Sequence, residues 1–365
     1  MSDGIQEQPL PLKRRDFLKL VGVATAATAG AGCLEFPPPP ENVLPYVTPH
    51  ENIIPGVATY YASTCRECPA ACGLHVKTRE GRAIKLEGNP NHPVNQGALC
   101  ARGQAALHGL YNPDRLTGPK QRAADGTFKD ITWEDAEKLL IEKLTTRAGE
   151  LQFWTGQETG TRQALYDAFV DGVGSAARWV HEPFAWEAVR EGNRLSLGRA
   201  EIPTYDFAAA GTVFTFGADF LETWISPVEY ARAFASSHGG ESSRGRMVAF
   251  EPRMSLTGQN ADEWVGIRPG MEAVAALAMA QVIVAEGLAK GGAGGIDLTP
   301  YAPATVAAQV GVPAEVLIRL AREFAAHGPG LSIAGGVGSQ GVRASHAVVA
   351  ANVLTALAGG MGTTI

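Results

Sequence analysis

The sequence predicts an α/β protein in two folded parts: a small cysteine-bearing domain built on a β-hairpin, then an incomplete doubly wound, mostly parallel α/β body. Three observations carry this expectation. Short β-like runs alternate with helical runs beyond residue 116, the pattern of parallel strands joined by crossover helices. Four of the five cysteines lie between Cys65 and Cys100, around a segment that reads as a hairpin. Glycine is abundant, at 43 of 365 residues, which suits many tight strand-to-helix turns.

Composition narrows the function classes. At 45% apolar and 19% charged residues, the chain is long and apolar enough to bury a substantial core. Its net charge of −6, without a basic stripe, argues against nucleic acid as a partner. No cysteine follows Cys100, so disulfides do not staple the whole chain; the pattern is one local metal site plus Cys33 with a separate job. No proton-transfer pair or activated nucleophile stands out, and hydrolytic chemistry has no support.

Residues 1–32 read as an export signal. Lys13-Arg14-Arg15-Asp16-Phe17-Leu18-Lys19 precedes an apolar stretch of small residues, an arrangement that resembles a twin-arginine signal with Lys13 where Ser or Thr is common. A helix over 20–32 would be about 20 Å long, short of the roughly 30 Å hydrocarbon core of a bilayer. The expected location is therefore periplasmic or on the outer face of the cytoplasmic membrane. Gly30-Ala31-Gly32-Cys33 resembles a lipoprotein cleavage site, although Gly30 stands where Leu is usual. Acylation of Cys33 would tether the protein to a membrane surface; loss of Cys33 with the signal is the alternative. Residues 33–58, with Pro37 to Pro40, Pro45, Pro49 and Pro55, form an extended linker that excludes helix.

Residues 59–115 hold the cysteine site. Cys65, Cys68 and Cys72 place three thiolates in one loop, and Cys100 follows after 27 intervening residues. Leu74–Thr78 and Ala83–Glu87 read as a hairpin turning at Glu80-Gly81, and Asn89-Pro90 with His92-Pro93 opens a loop that brings Cys100 back. Four thiolates suit either a 4Fe–4S cluster or a tetrahedral zinc ion, and a disulfide pair is chemically open in an oxidising compartment. Zinc ribbons favour two Cys-x-x-Cys knuckles, whereas the second half here offers Cys100 alone. A twin-arginine route carries proteins already folded in the cytoplasm, where clusters are assembled, and this favours iron. His75, His92 and His108 read as surface or hydrogen-bonded residues. Arg102 is a cation two residues past Cys100, placed to raise a cluster's potential and to bridge to a second cofactor; a solvated arginine is the alternative.

Residues 116–365 read as the α/β body. Thr132-Trp133-Glu134-Asp135 is a capping signature, and Ala136, Leu139, Leu140 and Leu144 then form an apolar helical stripe. Strands are expected at Leu151–Trp154, Arg178–Val180, Thr212–Phe216, Met247–Phe250, Trp264–Ile267 and Leu331–Ala334. Helices are expected at Thr161–Val170, Trp186–Leu197, Pro227–Ser236, Met271–Glu286, Pro313–Ala326 and Ser345–Leu357. Ligands of such folds settle at the carboxyl ends of strands, which singles out Gly217, Asp219 and Glu251, and the turn Gly335–Gly338. Each junction alone reads as ordinary turn chemistry.

Several of these motifs, in this order, resemble the molybdopterin oxidoreductases. Cys-x2-Cys-x3-Cys, the hairpin Gly81-Arg82-Ala-Ile-Lys-Leu-Glu-Gly-Asn-Pro90 and Gly97-Ala-Leu-Cys100-Ala-Arg-Gly103 match the family's small iron–sulfur domain. Ile131-Thr-Trp-Glu-Asp-Ala136, and Ala261-Asp-Glu-Trp264 leading to Ile267-Arg-Pro-Gly270, continue the match. Gly217-Ala-Asp-Phe-Leu-Glu-Thr-Trp-Ile-Ser-Pro227 and Glu251–Asp262 are similar to the large iron–sulfur subunit of alternative complex III and its polysulfide-reductase relatives. The resemblance implies a 4Fe–4S cluster on Cys65, Cys68, Cys72 and Cys100, with Arg102, Gly217, Asp219 and Glu251 on the cofactor side. It further implies an electron-transfer or scaffold subunit of a membrane-associated, quinol-oxidising respiratory complex, whose partners are its other subunits, including a ferredoxin-like domain. Molybdopterin is allowed but not favoured, because the segment Arg178–Trp186 has no cysteine and offers His181 or Glu182 in place of the usual metal ligand. Family members also need several hundred further residues to complete a pterin pocket. Two alternatives remain: the N-terminal part of a catalytic molybdenum or tungsten bis-pterin oxidoreductase, and a zinc-stabilised interaction module.

Overall fold

A computed structural model describes residues 53–174, 177–184, 186–238, 245–336 and 340–365. The export signal, Cys33, most of the proline-rich stretch, and Val337 and Gly338 lie outside these residues.

The first element is an antiparallel sheet of three strands in sequence order: β1 (Thr59–Thr64), β2 (Gly73–Arg79) and β3 (Arg82–Gly88). β2 and β3 form the expected hairpin, with Thr78 opposite Ala83 and Leu74 opposite Gly88. Glu80 and Gly81 both take left-handed backbone conformations, the two-residue turn whose twist matches that of the flanking strands. β1 adds a third strand, Thr64 pairing with Gly73. Helix α1 (Ala101–Leu110) starts directly after Cys100. A small hairpin, β4 (Lys120–Arg122) with β5 (Phe128–Asp130), then leads to α2 (Trp133–Thr146).

α2 begins where the capping signature places it: the Thr132 hydroxyl accepts from the Asp135 backbone N–H at 3.1 Å. Its apolar stripe nevertheless stays at the surface. No residue of α2 is buried, and Leu140 is exposed. β6 (Gln152–Thr155) and β7 (Ala177–Val180), joined through α3 (Thr161–Gly172), form a separate two-stranded parallel sheet.

The main sheet is fully parallel. Its strands are β8 (Thr212–Phe216), β9 (Arg246–Glu251), β10 (Glu263–Gly266) and β11 (Gly330–Ala334), in the order β10-β9-β8-β11. Alternation along the strands builds two cores. Phe214, Phe216, Val248, Phe250 and Ala334 face one layer, in which α7 (Glu272–Ala285), α9 (Ala314–Ala326) and α10 (Ala344–Leu357) pack. Val213, Met247, Leu331 and Ile333 face the other, filled by Trp186, Tyr205, Phe207, Phe220, Trp224 and Tyr230 near α5 (Pro227–His238). Burial on both faces explains why these strands read as continuous apolar runs. Helices α4 (Glu187–Leu197) and α8 (Pro303–Val310) and the short α6 (Leu256–Gln259) complete the described elements. The α/β class and its parallel body are as the sequence predicts. Element ends differ by one to two residues, except that β1, α1, the β4–β5 hairpin, α6 and α8 were not anticipated. Among the described residues, no single helix is long and apolar enough to cross a membrane.

The chain steps outward from β8 to β9 and β10, then returns to the opposite side of β8 with β11. The carboxyl ends of β8 and β11 therefore flank a topological switch point, the position where such sheets present ligand sites.

Phe250 is fully buried, stacked on Phe216 at 4.7 Å and edge-on to Phe214 at 5.3 Å. Phe250→Ala is expected to lower unfolding stability by about 3–5 kcal/mol, whereas Leu140→Ala on exposed α2 stays within about 0.5 kcal/mol. Urea titration of both variants reads the difference.

Candidate iron–sulfur site

Three cysteines sit on the connection between β1 and β2. The strand pair closes that loop: the Cys65 N–H donates to the Cys72 carbonyl at 2.8 Å, and the Ala71 N–H donates to that of Cys68 at 3.4 Å. Ala71 carries a left-handed φ of 50°, which puts a tight bend between Cys68 and Cys72.

Cys100 arrives by a second device. Asn95 is fully buried and bridges the two halves of the domain. Its Oδ1 accepts from the Gly73 N–H at 2.8 Å, and its Nδ2 donates to the carbonyls of Gly73 at 2.9 Å and Ala98 at 2.7 Å. Close approach is possible because Gly88 has no side chain; a Cβ there would lie 2.4 Å from the Ala98 carbonyl oxygen. The loop over 89–98 is thus tied to the first residue of β2, and Cys100 follows at the start of α1 with the other three. Sequence reading missed Asn95, which looks like any polar loop residue.

All four thiols are free, and Cys65 and Cys72 are buried. Burial pushes the thiols of Cys65 and Cys68 up and takes Cys72 to about 12, with the neighbouring thiolates adding to each shift. The four sulfurs therefore sense one another's charge, and a polycationic group is what reconciles them. A tetrahedral zinc ion would hold its sulfurs at about 2.3 Å from a single point. Four free thiols on one small domain are the donor set of a 4Fe–4S cluster, which spreads them over separate irons, as they also are of a tetrahedral zinc ion.

Arg102 projects from α1 toward the same place. Its charge favours the ionised form of Cys68, against Glu182, and its guanidinium lies 4.8 Å over the ring of Phe184. Phe184 in turn stacks near Trp186 at 5.9 Å. Beyond Cys65 and Cys68 lies a cavity of about 490 Å³ whose far wall comes from the ends of β6 and β7, with Glu158, Arg162, His181 and Glu182. Arg66, between the first two cysteines, pairs with Glu158. From the segment singled out in the sequence, His181, Glu182, Pro183 and Phe184 line this cavity, with His181 and Glu182 as the metal-capable side chains.

The switch-point residues are tightly packed. Gly217 has a left-handed φ of 68°, and a Cβ on Gly336 would lie 2.1 Å from its carbonyl oxygen. Asp219 is buried; its Oδ2 accepts from the Thr223 hydroxyl, its Oδ1 has no partner among the described residues, and burial raises its carboxyl above the usual range. Glu251 is spent on its own turn, accepting from the Ser255 N–H at 2.9 Å and the Ser255 hydroxyl at 2.7 Å.

The fold and site together are a parallel α/β body carrying a four-cysteine domain with a cavity beside the cysteines. Residues 58–112 match the molybdopterin oxidoreductase Fe4S4 domain and residues 115–355 match the molybdopterin oxidoreductase family, so the chain belongs to the molybdopterin oxidoreductases. It is 31% identical to the menaquinone reductase molybdopterin-binding-like subunit of Nitratidesulfovibrio vulgaris, over 94% of this chain and 51% of that protein. It is 29% identical to the arsenate respiratory reductase molybdopterin-containing subunit of a Shewanella species, over 78% of this chain and 34% of that protein. The fold is that of acetylene hydratase from Pelobacter acetylenicus, with a TM-score of 0.64 and 16% identity over 83% of this chain and 44% of that one. The chain thus spans about half of the first of these relatives and less of the other two.

Asn95→Ala removes all three bridging bonds and takes the side-chain acceptor from the Gly73 N–H, while the Gly73 carbonyl keeps the Asn89 N–H. It is expected to cost about 1–3 kcal/mol and to release Cys100 from the other cysteines. Iron content of the anaerobically purified variant should fall well below that of the parent, while the main sheet still unfolds cooperatively in calorimetry.

Proposed function

We propose that this chain is the cluster-bearing part of an exported respiratory oxidoreductase subunit of the bis-pterin type, with electrons passing between the cysteine site and a pterin cofactor beside it. The observation that carries this reading is the cavity shared by Cys65, Cys68 and the segment His181 to Phe184. Its volume falls within the range of cofactor sites. Cys65, Cys68, Cys72 and Cys100 would hold the iron, and a cluster so bound supplies one-electron chemistry. Gln157, Thr159 and Arg162 offer hydrogen-bond donors on the cavity wall for a pterin. Arg102 lies between the cysteine site and Phe184, where its charge favours the reduced, more negative state of the site and raises its potential.

Two of the most similar relatives point the same way by name, one as a molybdopterin-containing subunit and one as a molybdopterin-binding-like subunit. Export by the twin-arginine route, an outer-face location, a Cys33 lipid anchor and association with other membrane-complex subunits, among them a ferredoxin-like domain, are parts of this proposal that rest on the sequence.

A second reading has its own support. The wall that faces the cysteines offers His181 and Glu182 but no cysteine, so a subunit with a cluster and no molybdenum fits that segment equally. Such a chain would transfer electrons, or serve as a scaffold, in a quinol-oxidising complex.

Metal analysis of the assembled protein, together with fluorescence of its acid-released, oxidised pterin, separates the two. Molybdenum or tungsten near one equivalent with pterin is the expected result. Iron with neither metal nor pterin transfers the assignment to the second reading, and absence of iron ends both.

A further inference from the structure

Arg66 stands between two of the cysteines, yet its charge is directed elsewhere. Its guanidinium pairs with Glu158, which lies 92 residues further along the chain, in the link between β6 and α3. The Glu158 side chain is only 18% exposed, against 48% for that of Arg66. Its other carboxylate oxygen lies 3.9 Å from Nε of Arg162, on the first turn of α3. Glu158 is thus held on the cavity wall by a neighbour from its own side, and Arg66 reaches across from the cysteine loop to meet it. A fully exposed pair would hold an arginine loosely; a carboxylate that is four-fifths buried is less screened and holds it more firmly.

The cation felt at the cysteines is a different one. The main influences on the thiols of Cys65, Cys68 and Cys72 are burial, nearby backbone N–H groups, one another and Cys100, with Glu67, Glu182 and Arg102. Arg66 is not among them, although it follows Cys65 directly in the chain. Were Arg66 released from Glu158, the anionic groups left to it on this cavity would be Glu67, Glu182 and the cysteines themselves. Glu182 carries no ion pair among the described residues, and its charge opposes ionisation of Cys68. Each of these destinations brings positive charge closer to the sulfurs.

We propose that Glu158 is a positioning residue: it holds the Arg66 guanidinium away from the four cysteines and thereby keeps low the reduction potential of the cluster they bind. Reduction adds one electron and makes the site more negative, so a cation drawn toward it favours the reduced state. The inference rests on the cluster reading given above. It assigns the two arginines near the site opposite standing: Arg102 acts on the cysteines, and Arg66 is kept from doing so.

The test compares the anaerobically purified, assembled protein with its Glu158→Gln, Arg66→Gln and doubly substituted variants. Iron is counted in each, and each is titrated with dithionite as the electron donor while the reduced cluster is followed by electron paramagnetic resonance. Glu158→Gln is expected to favour reduction by about tenfold, a rise of 59 mV for a one-electron couple. Arg66→Gln alone is expected to move the potential little, and the double variant to return to the parent value, because no guanidinium remains to swing inward. Glu158→Asp, whose shorter carboxylate reaches Arg66 less well, is expected to give a smaller rise of the same sign, and it replaces Glu158→Gln as the probe if that variant loses iron. An unmoved potential in the iron-loaded Glu158 variant overturns the inference alone. So does a rise that persists in the double variant, or an Arg66→Gln drop as large as the Glu158→Gln rise, the signature of two fixed charges. A parent protein without iron overturns the cluster reading and this inference with it.

Discussion

The domain is organised around an electrostatic constraint: four thiols are drawn together, and burial raises those of Cys65, Cys68 and Cys72, with neighbouring thiolates adding to each shift. Asn95 and the positive φ of Ala71 hold the four there regardless, so the protein's own structure works against the bare site. Iron at that position would convert mutual repulsion into coordination. The β1–β2–β3 sheet, the tie from Asn95 to Gly73 and the start of α1 all serve this convergence.

That constraint also orders the surroundings. The cysteine loop lies against the ends of β6 and β7, so the wall nearest the cluster site comes from segments about 90 to 115 residues further along the chain. Arg102 stands at this junction with Phe184 beneath it, and Arg66 is neutralised by Glu158. Charge at the cysteine site is thereby balanced by groups from both parts of the fold. Farther away, the tight packing of Gly217 against Gly336 and the use of Glu251 by Ser255 make the switch point rigid. Asp219, with one oxygen unpaired, is the polar group there without a complete set of partners.

Much of this was legible in the sequence. The parallel strands show as continuous apolar runs because both of their faces are buried, and the hairpin shows because Glu80-Gly81 accepts left-handed conformations. The four cysteines show because no other residue type in that spacing has so few alternatives. What was hidden depends on contacts that spacing does not encode. Asn95 is a structural key only because Gly73 and Ala98 come within hydrogen-bond reach of it. Helix α8 begins at Pro303 between loop-like residues and lacks a polar cap. The stripe of α2 predicts burial correctly as a pattern, yet its covering surface is not in the described residues. Glu251 stands out in the sequence by its place at a strand end, and its bonds to Ser255 are visible only in the structure.

The central claim, that Cys65, Cys68, Cys72 and Cys100 converge on a 4Fe–4S cluster, is tested most directly by Mössbauer spectroscopy of iron-57-enriched protein purified without oxygen, alongside acid-labile sulfide. The expected result is four irons and four sulfides per chain, with tetrahedral sulfur-coordinated iron that accepts one electron on reduction. Zinc in place of iron, or an iron-free protein with these sulfurs paired to one another, would contradict it.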